Sequence, residues 1–276
     1  MQNSSQNGAH ICADLFKRAP DRVLAWSDAW YGDWKKYPNL VASVPVASAW
    51  EFDEKPRLTL RTEKLPTVEN KLTPPTILQC NASTYGFKHG IYSKYNFFMS
   101  YLDRCIRARM PEVMPEPGQQ VKLKPIDLKT GWAGDFNEIS QWAVIAPISE
   151  AKGMVDPTWL PDAYAAWMWR SYHSAKPDIK LTGPAVEYRS GGGPECGLGY
   201  GKALKGGTPH TFSADAPETY AKVEFRDGDK VVGTAEAAPW KVEGVKLERG
   251  LRAIFAVGVS KDGVRTASRP AFVIVE

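Results

Sequence analysis

The chain has 276 residues, of which 43% are hydrophobic, 11% aromatic and 24% charged. This composition is typical of a folded globular protein and excludes a fibrous or largely disordered one. The 35 basic and 31 acidic residues are interspersed and give a net charge of only +4, without the basic excess that nucleic-acid binding requires. The sequence contains no apolar run of about 18 to 20 residues, so it predicts no membrane span.

Strands and helices are predicted to alternate in the first part of the chain. Four short runs rich in apolar residues predict strands, at 22–26, 74–83, 120–127 and 141–148. Two segments with apolar residues on one helical face predict helices, at 8–19 and 90–111, and a segment that begins with Pro161 predicts a third, at 161–174. "GWAGD" at 131–135 predicts a turn. Such alternation favours an α/β layer built on a largely parallel sheet.

The last hundred residues predict a different, all-β structure. Nine of the ten tryptophans precede residue 177, which predicts two domains, 1–176 and 177–276. Alternating polar and apolar residues predict strands within 178–185, 210–215, 221–244, 251–263 and 270–276. Asp227-Gly228 predicts a tight hairpin. About seven short strands in about 100 residues favour a two-sheet sandwich.

This second domain resembles a family of bacterial immunoglobulin-like modules. The likeness rests on "KVEFRDGDKVVGTAEAAPWKVEGV" and "RGLRAIFAVGVSKDGVRTAS". Such modules are attached to secreted carbohydrate-active and surface enzymes, so the resemblance implies a spacer or adhesion role outside the cytoplasm. We expect an extracellular or periplasmic location, although the sequence as given has no export signal.

The first domain resembles secreted esterases of the α/β-hydrolase fold. "NSSQNGAH" (3–10) is similar to the G-x-S-x-G turn between a strand and a helix, with asparagines in place of glycines. "AHICADLFKRAPDRVLAW" and "PPTILQC" resemble the helix and strands that follow. The resemblance implies that Ser5 is the nucleophile and that the Gln6 backbone N–H is an oxyanion donor. It also implies the C-terminal half of a longer enzyme, which is either active or an inactive fragment.

The resemblance implies an order of serine, acid and histidine along the chain. It puts the acid after the strand at 75–80, but "NASTYGFKHG" (81–90) contains no carboxylate. It puts the histidine after a later strand, but 127–140 contains none.

The remaining combinations pair His89 or His173 with Asp127 or Asp135. Our predicted triad is Ser5, His89 and Asp135. Serine is also a preferred helix N-cap, and a loop histidine often serves only as a hydrogen-bonding group, so both structural interpretations stay open.

The alternative prediction is a non-catalytic carbohydrate-binding or adhesion protein with an immunoglobulin-like spacer. Trp30 and Trp34 offer aromatic faces that suit sugar rings, although core packing also explains them. The four cysteines are far apart and have no CxxC spacing, so we predict no metal site and no cofactor. The expected partner is a small or polysaccharide ester, and the sequence predicts no oligomeric state.

Overall fold

The computed structural model describes residues 2–3, 25–28, 46–52, 77–83, 95–124, 130–135, 142–154, 157–176, 178–184 and 203–276. The chain forms two compact units. The first comprises Met1–Lys94, Tyr101–Asn137 and Ala146–Asp162; the second comprises Tyr95–Ser100, Glu138–Ile145 and Ala163–Glu276. The domain limits at 1–176 and 177–276 stay a prediction.

A parallel sheet is the main feature described in the first unit. Its strands, in chain order and in spatial order, are β1 (Gln2–Asn3), β2 (Ala25–Asp28), β3 (Val46–Phe52) and β4 (Ile77–Ser83). Each neighbouring pair is parallel. At least 17 residues separate successive strands. This is long enough for the crossover connection of a dozen or more residues that two parallel strands require. A parallel sheet is therefore present, but only β2 and β4 correspond to predicted strands, and β1 and β3 were not predicted.

A second sheet of the first unit contains segments that were not predicted correctly. Its described strands are β5 (Trp132–Asp135), β6 (Ile145–Pro147) and β7 (Pro157–Leu160), in the order β6-β5-β7. β5 and β7 are antiparallel, and Ala133 lies opposite Trp159. The turn predicted at 131–135 is wrong, because this short segment pairs with a strand much later in the chain. The strand predicted at 120–127 is absent from its described part, 120–124.

Two of the predicted helices lie in the described residues, and both are present: α1 (Tyr95–Arg109) and α2 (Ala163–Ser174). On α1, Leu102 and Cys105 are buried as the apolar periodicity predicts, but Ile106 is 37% exposed. The buried face is therefore rotated away from Ile106. Neither described helix is long and apolar enough to cross a membrane.

The second unit contains an immunoglobulin-like β-sandwich. Its described strands are β8 (Lys180–Gly183), β9 (His210–Asp215), β10 (Tyr220–Asp227), β11 (Lys230–Ala235), β12 (Lys241–Val245), β13 (Gly250–Ser260), β14 (Arg265–Ala267) and β15 (Ala271–Val275). All described pairs are antiparallel. One sheet has the order β11-β10-β13, with β14 and β15 both pairing with β13, and the other has the order β12-β9-β8.

The sandwich core explains the alternating pattern of the sequence. Phe212 of one sheet and Phe225 of the other are fully buried, with ring centroids 5.9 Å apart. Trp240 joins the same core and donates its indole N–H to the Ala216 carbonyl. Side chains of a strand alternate between its two faces, so every second residue of β10 and β13 enters this core.

A two-residue hairpin joins β10 to β11, as predicted from Asp227-Gly228. Asp227 lies opposite Lys230, so Gly228 and Asp229 form the turn. Gly228 has φ +58°, a left-handed conformation that glycine adopts without steric cost.

The helix α2 and the residues just after it belong to the second unit and form hydrogen bonds to β14 and to the residue that follows β14. The Ser171 hydroxyl donates to the Ser268 carbonyl at 2.9 Å, and the Lys176 N–H donates to the Ala267 carbonyl at 3.0 Å. Residues before the predicted domain limit thus cover the outer face of the larger sheet.

Candidate functional site

The carboxyl edge of the parallel sheet is the first candidate site. Because β1 to β4 run in the same direction, their ends at Asn3, Asp28, Phe52 and Ser83 face one edge of the sheet. In open parallel sheets, ligands bind outside the carboxyl ends of the strands. Residues that follow these four ends in the chain are therefore the natural candidates for chemistry.

Most of the predicted site residues lie outside the described residues: Ser5, Gln6, Trp30, Trp34 and His89. Their positions in the sequence can still be compared with the strands. Ser5 is two positions after the end of β1, and His89 is six positions after the end of β4.

The strand β3 was missed by sequence reasoning, and it brings two further candidates. Asp53 and Glu54 follow its last residue, Phe52, directly in the sequence. The signal was present: the run "VPVASAWEF" (44–52) is apolar or small at most positions and ends at a pair of carboxylates. The resemblance puts the catalytic acid after the strand at 75–80, which is β4, but no carboxylate follows there. β3 lies next to β4 in the sheet, so the carboxylates that follow β3 are candidates for this acid.

Asp135, the predicted acid, lies at the end of β5. It is 6% exposed and opposite Pro157 of β7. β7 in turn lies beside β4. Asp135 is thus a buried carboxylate on β5, and β7 lies between β5 and β4, the strand that precedes His89 in the sequence.

His173, the alternative base, lies on α2 in the interior of the second unit. Its Nδ1 is 2.9 Å from the Trp169 carbonyl oxygen, and its ring is stacked 4.5 Å from the Trp169 ring. Phe97 and Tyr172 contact the same imidazole edge-on. These contacts are typical of a histidine that packs in a core.

The second candidate site is a stack of aromatic and guanidinium groups in the second unit. The Arg170 guanidinium lies 4.9 Å from the Trp142 ring centroid and 4.7 Å from that of Trp167. The Arg226 guanidinium lies 3.7 Å from the Trp167 ring centroid. Trp142 and Trp167 also contact each other edge to face, with ring centroids 6.0 Å apart, so the two rings and the two guanidinium groups form one cluster, which we call the Trp–Arg stack.

Charges around the Trp–Arg stack are predominantly positive. Glu224 is within 2.9 Å of the Lys222 ammonium and 3.4 Å of the Arg226 guanidinium. Burial raises the pKa of Glu224, but the hydrogen bond from Lys222 and the charge of Arg226 more than offset this, so its pKa is lowered. Burial, followed by the charges of Arg265 and Arg226, lowers the pKa of Arg170 to about 10.

Metal ligation finds no support in the described part of the chain. No three histidine, cysteine, aspartate or glutamate side chains of the described residues are close enough together to hold an ion. Cys105 is a buried free thiol, and burial raises its pKa far above the ordinary value.

Comparisons with known proteins give few matches. No protein family and no curated protein matches the chain. Among solved structures, a fibronectin(III)-like module of Clostridium thermocellum CbhA matches at 23% identity and a TM-score of 0.28, over 35% of this chain and 93% of that module. An engineered protein matches at 13% identity and a TM-score of 0.22, over 91% of this chain and 54% of that protein. At these TM-scores neither likeness supports an assignment; the immunoglobulin-like sandwich is assigned from its own strand order and core.

Proposed function

We propose that the chain is a serine carboxylic-ester hydrolase of the α/β-hydrolase fold, with Ser5 as nucleophile, His89 as base and Asp53 as acid. The observation that supports it is the order of the parallel sheet. β1, β3 and β4 are followed in the sequence by a serine, an aspartate and a histidine. That is the chain order of the triad in this fold.

Distances between the strands are compatible with such a triad. Neighbouring strands are about 4.8 Å apart, so β1 and β4 are about 14 Å apart. A chain of six residues spans at most about 20 Å, so the segment from Ser83 to His89 is long enough to bring an imidazole over the sheet edge toward Ser5. Asp53 directly follows β3 in the sequence, and β3 lies between β2 and β4.

The proposed chemistry follows from these roles. The Ser5 hydroxyl attacks the ester carbonyl carbon while His89 takes its proton, and Asp53 orients the imidazole and stabilises its positive form. The Gln6 backbone N–H stabilises the negative charge on the carbonyl oxygen. His89 then protonates the leaving alcohol, and water hydrolyses the acyl-enzyme by the reverse sequence of proton transfers.

Asp53 is preferred to Asp135 as the acid. Asp53 precedes His89 in the chain, whereas Asp135 follows it. Of these candidates, only Asp53 and its neighbour Glu54 meet the order serine, acid, histidine. We keep Asp135 as the alternative that mutation must exclude.

The immunoglobulin-like sandwich supports the proposed setting. It resembles modules of secreted carbohydrate-active enzymes, so we propose a carbohydrate-linked ester as substrate and an extracellular or periplasmic location. The sandwich then acts as a spacer in the same chain as the catalytic unit.

The test compares two adjacent serines. Hydrolysis of p-nitrophenyl acetate by the purified chain should be lost in Ser5→Ala and kept in Ser4→Ala. A fluorophosphonate probe should label the wild type, with mass spectrometry locating the adduct on Ser5. Equal hydrolysis in Ser5→Ala and Ser4→Ala, or an adduct elsewhere, would contradict the proposal.

The non-catalytic alternative makes a different prediction. A carbohydrate-binding protein would be retained on insoluble polysaccharide without cleaving any ester. Its retention would fall in Trp30→Ala or Trp34→Ala and would be unchanged in Ser5→Ala.

A further inference from the structure

We infer that Arg170, Arg226 and Arg265 form a binding site for the carboxylate groups of an acidic polysaccharide, flanked by Trp142 and Trp167, in the second unit. The site is independent of the proposed esterase activity, because all five residues belong to the second unit.

Strand alternation sets the position of the site. Val223 and Phe225 of β10 point into the sandwich core. Because side chains alternate along a strand, Glu224 and Arg226 point to the outer face of the same sheet. An apolar cluster on that face packs against Trp142 and Trp167; its members are Phe255, Val257, Val259 and Ala267. Arg265 is on β14, two residues before Ala267, and therefore points to the same side.

The Trp–Arg stack holds two guanidinium groups in fixed orientations. Arg170 lies against both indole rings and donates its Nε–H to the Ala143 carbonyl at 2.7 Å. Arg226 lies over Trp167 and donates from Nη1 to the Asp229 carbonyl at 3.1 Å. A cation over an indole face is attracted by the ring electrons, so a ligand would meet cations that are already ordered.

The cations of this face are not fully neutralised. Lys222 and Arg226 share one carboxylate, that of Glu224, which also interacts electrostatically with Arg265. The Asp229 carboxylate has a weaker electrostatic effect on Arg226. Within the described part of the chain, neither Arg170 nor Arg265 forms an ion pair with a carboxylate. The lowered pKa of Arg170 has burial as its main cause, followed by the repulsion between the three arginines. A bound anion would relieve that repulsion.

One buried donor is also left without an acceptor. Arg226 is 7% exposed, and its Nε has no hydrogen-bond partner among the described residues. An unpaired buried donor destabilises the folded state, because it has lost its hydrogen bonds to water without gaining another partner. It is compatible with a site whose anion completes the hydrogen bonding.

The residue types select the ligand. The planar guanidinium matches a carboxylate with two parallel hydrogen bonds, and arginine keeps its charge at any physiological pH. Indole rings beside the cations suit the apolar face of a sugar ring. A nucleic acid fits less well, because the acidic and basic residues of the chain are nearly balanced, 31 against 35.

Affinity electrophoresis of the full chain tests the site, with polygalacturonate, neutral galactan or dextran sulfate in the gel. We expect retardation by polygalacturonate, none by galactan, and less by dextran sulfate. Arg265→Gln should weaken the apparent affinity for polygalacturonate at least fivefold. Arg249→Gln removes the same charge from an exposed position just before β13, outside β14 and the Trp–Arg stack, and should leave the affinity unchanged.

Arg265 is exposed, so its replacement leaves the fold intact, and far-UV circular dichroism verifies this. Ser5→Ala should bind like the wild type, so a failure of the esterase proposal would not affect this test. Absence of polygalacturonate binding, equal or stronger retardation by dextran sulfate, or equal losses in Arg265→Gln and Arg249→Gln would each overturn the site.

Discussion

The hydroxyl of Tyr164 on α2 donates a hydrogen bond of 2.7 Å to the buried Asp227 carboxylate at the end of β10. The same hydroxyl accepts a hydrogen bond of 2.7 Å from the Ala253 N–H on β13. Asp227 is also 3.5 Å from the Arg252 guanidinium. One phenol thus satisfies a buried carboxylate and a buried backbone donor, and it connects the helix to both central strands of the larger sheet.

Tyr164→Phe tests this connection. The substitution keeps the ring but removes a partner from both Asp227 and Ala253, so we expect the free energy of unfolding of the second unit to fall by about 1 to 3 kcal/mol. Urea unfolding followed by circular dichroism measures it. Tyr220→Phe is the control, because its hydroxyl bonds to Asp178 at an exposed position, and it should destabilise less than Tyr164→Phe. Equal losses in the two variants would contradict this role of Tyr164.

Gly228→Ala should destabilise the hairpin for two reasons. Its φ of +58° is strained for alanine, and a Cβ there would lie 2.2 Å from the Tyr164 ring. Gly263→Ala isolates the first reason, because Gly263 has φ +84° and none of the described atoms lies within 4 Å of the place that a Cβ would take. We expect about 1 kcal/mol from the conformation alone, and a larger loss in Gly228→Ala because the ring must move. Similar melting temperatures for the two variants would show that the Tyr164 ring adapts freely.

Phe225→Ala should lower the free energy of unfolding by about 3 to 5 kcal/mol, because Phe225 is fully buried in the sandwich core. Val231→Ala is the control on the next strand, where the side chain is 47% exposed, and its effect should stay within about 0.5 kcal/mol. Chemical denaturation of both variants measures the difference. A small loss for Phe225→Ala would mean that the core is not closed around this ring.

Glu224 predicts a specific pH dependence. Its pKa is lowered in the folded protein, so its stabilising contribution is complete above the ordinary value of 4.5 and is lost as the pH falls through the lowered pKa. The stability difference between the wild type and Glu224→Gln should therefore be largest near neutral pH and shrink below about pH 4.5. The pKa of Asp227 is raised mainly by burial, so the stability contribution of Asp227 has the opposite pH dependence. Asp227 is present in both the wild type and Glu224→Gln, so its effect cancels in the difference between them.

Urea titrations at a series of pH values from about 7 to about 3 span the range in which Glu224 titrates and measure this difference. Glu218→Gln is the control for an exposed carboxylate. A difference that grows as the pH falls would contradict the assignment of charge around Glu224.

The identity of the catalytic acid is the functional prediction. Asp53→Asn should lower kcat for p-nitrophenyl acetate by about 10²- to 10⁴-fold, as expected when the residue that orients the base is lost. Glu54→Gln should retain most activity, and so should Asp135→Asn if its carboxylate has only a structural role. A loss confined to Asp135→Asn would favour the triad predicted from the sequence over the one proposed from the strand order.

Local periodicity was sufficient for much of the fold. α1 was predicted from its apolar spacing, α2 from Pro161 just before it, and most strands of the sandwich from polar and apolar alternation, because each strand buries one face against a single core. β5 and β3 were not predicted. "GWAGD" has the residues of a turn and becomes a strand only because Trp159 and its neighbours in β7 pair with it. β3 has small residues whose strand pairing depends on β2 and β4.

The sequence by itself therefore determined that a parallel sheet precedes an antiparallel sandwich, since those patterns depend only on which side chains avoid water. It also named Ser5 and His89 as candidates. Only the tertiary structure decided that another strand lies between β2 and β4, which makes Asp53 a candidate acid, and that two tryptophans and two arginines form the Trp–Arg stack. Strand order and side-chain stacking depend on pairing between residues far apart in the chain, and no local pattern records that pairing.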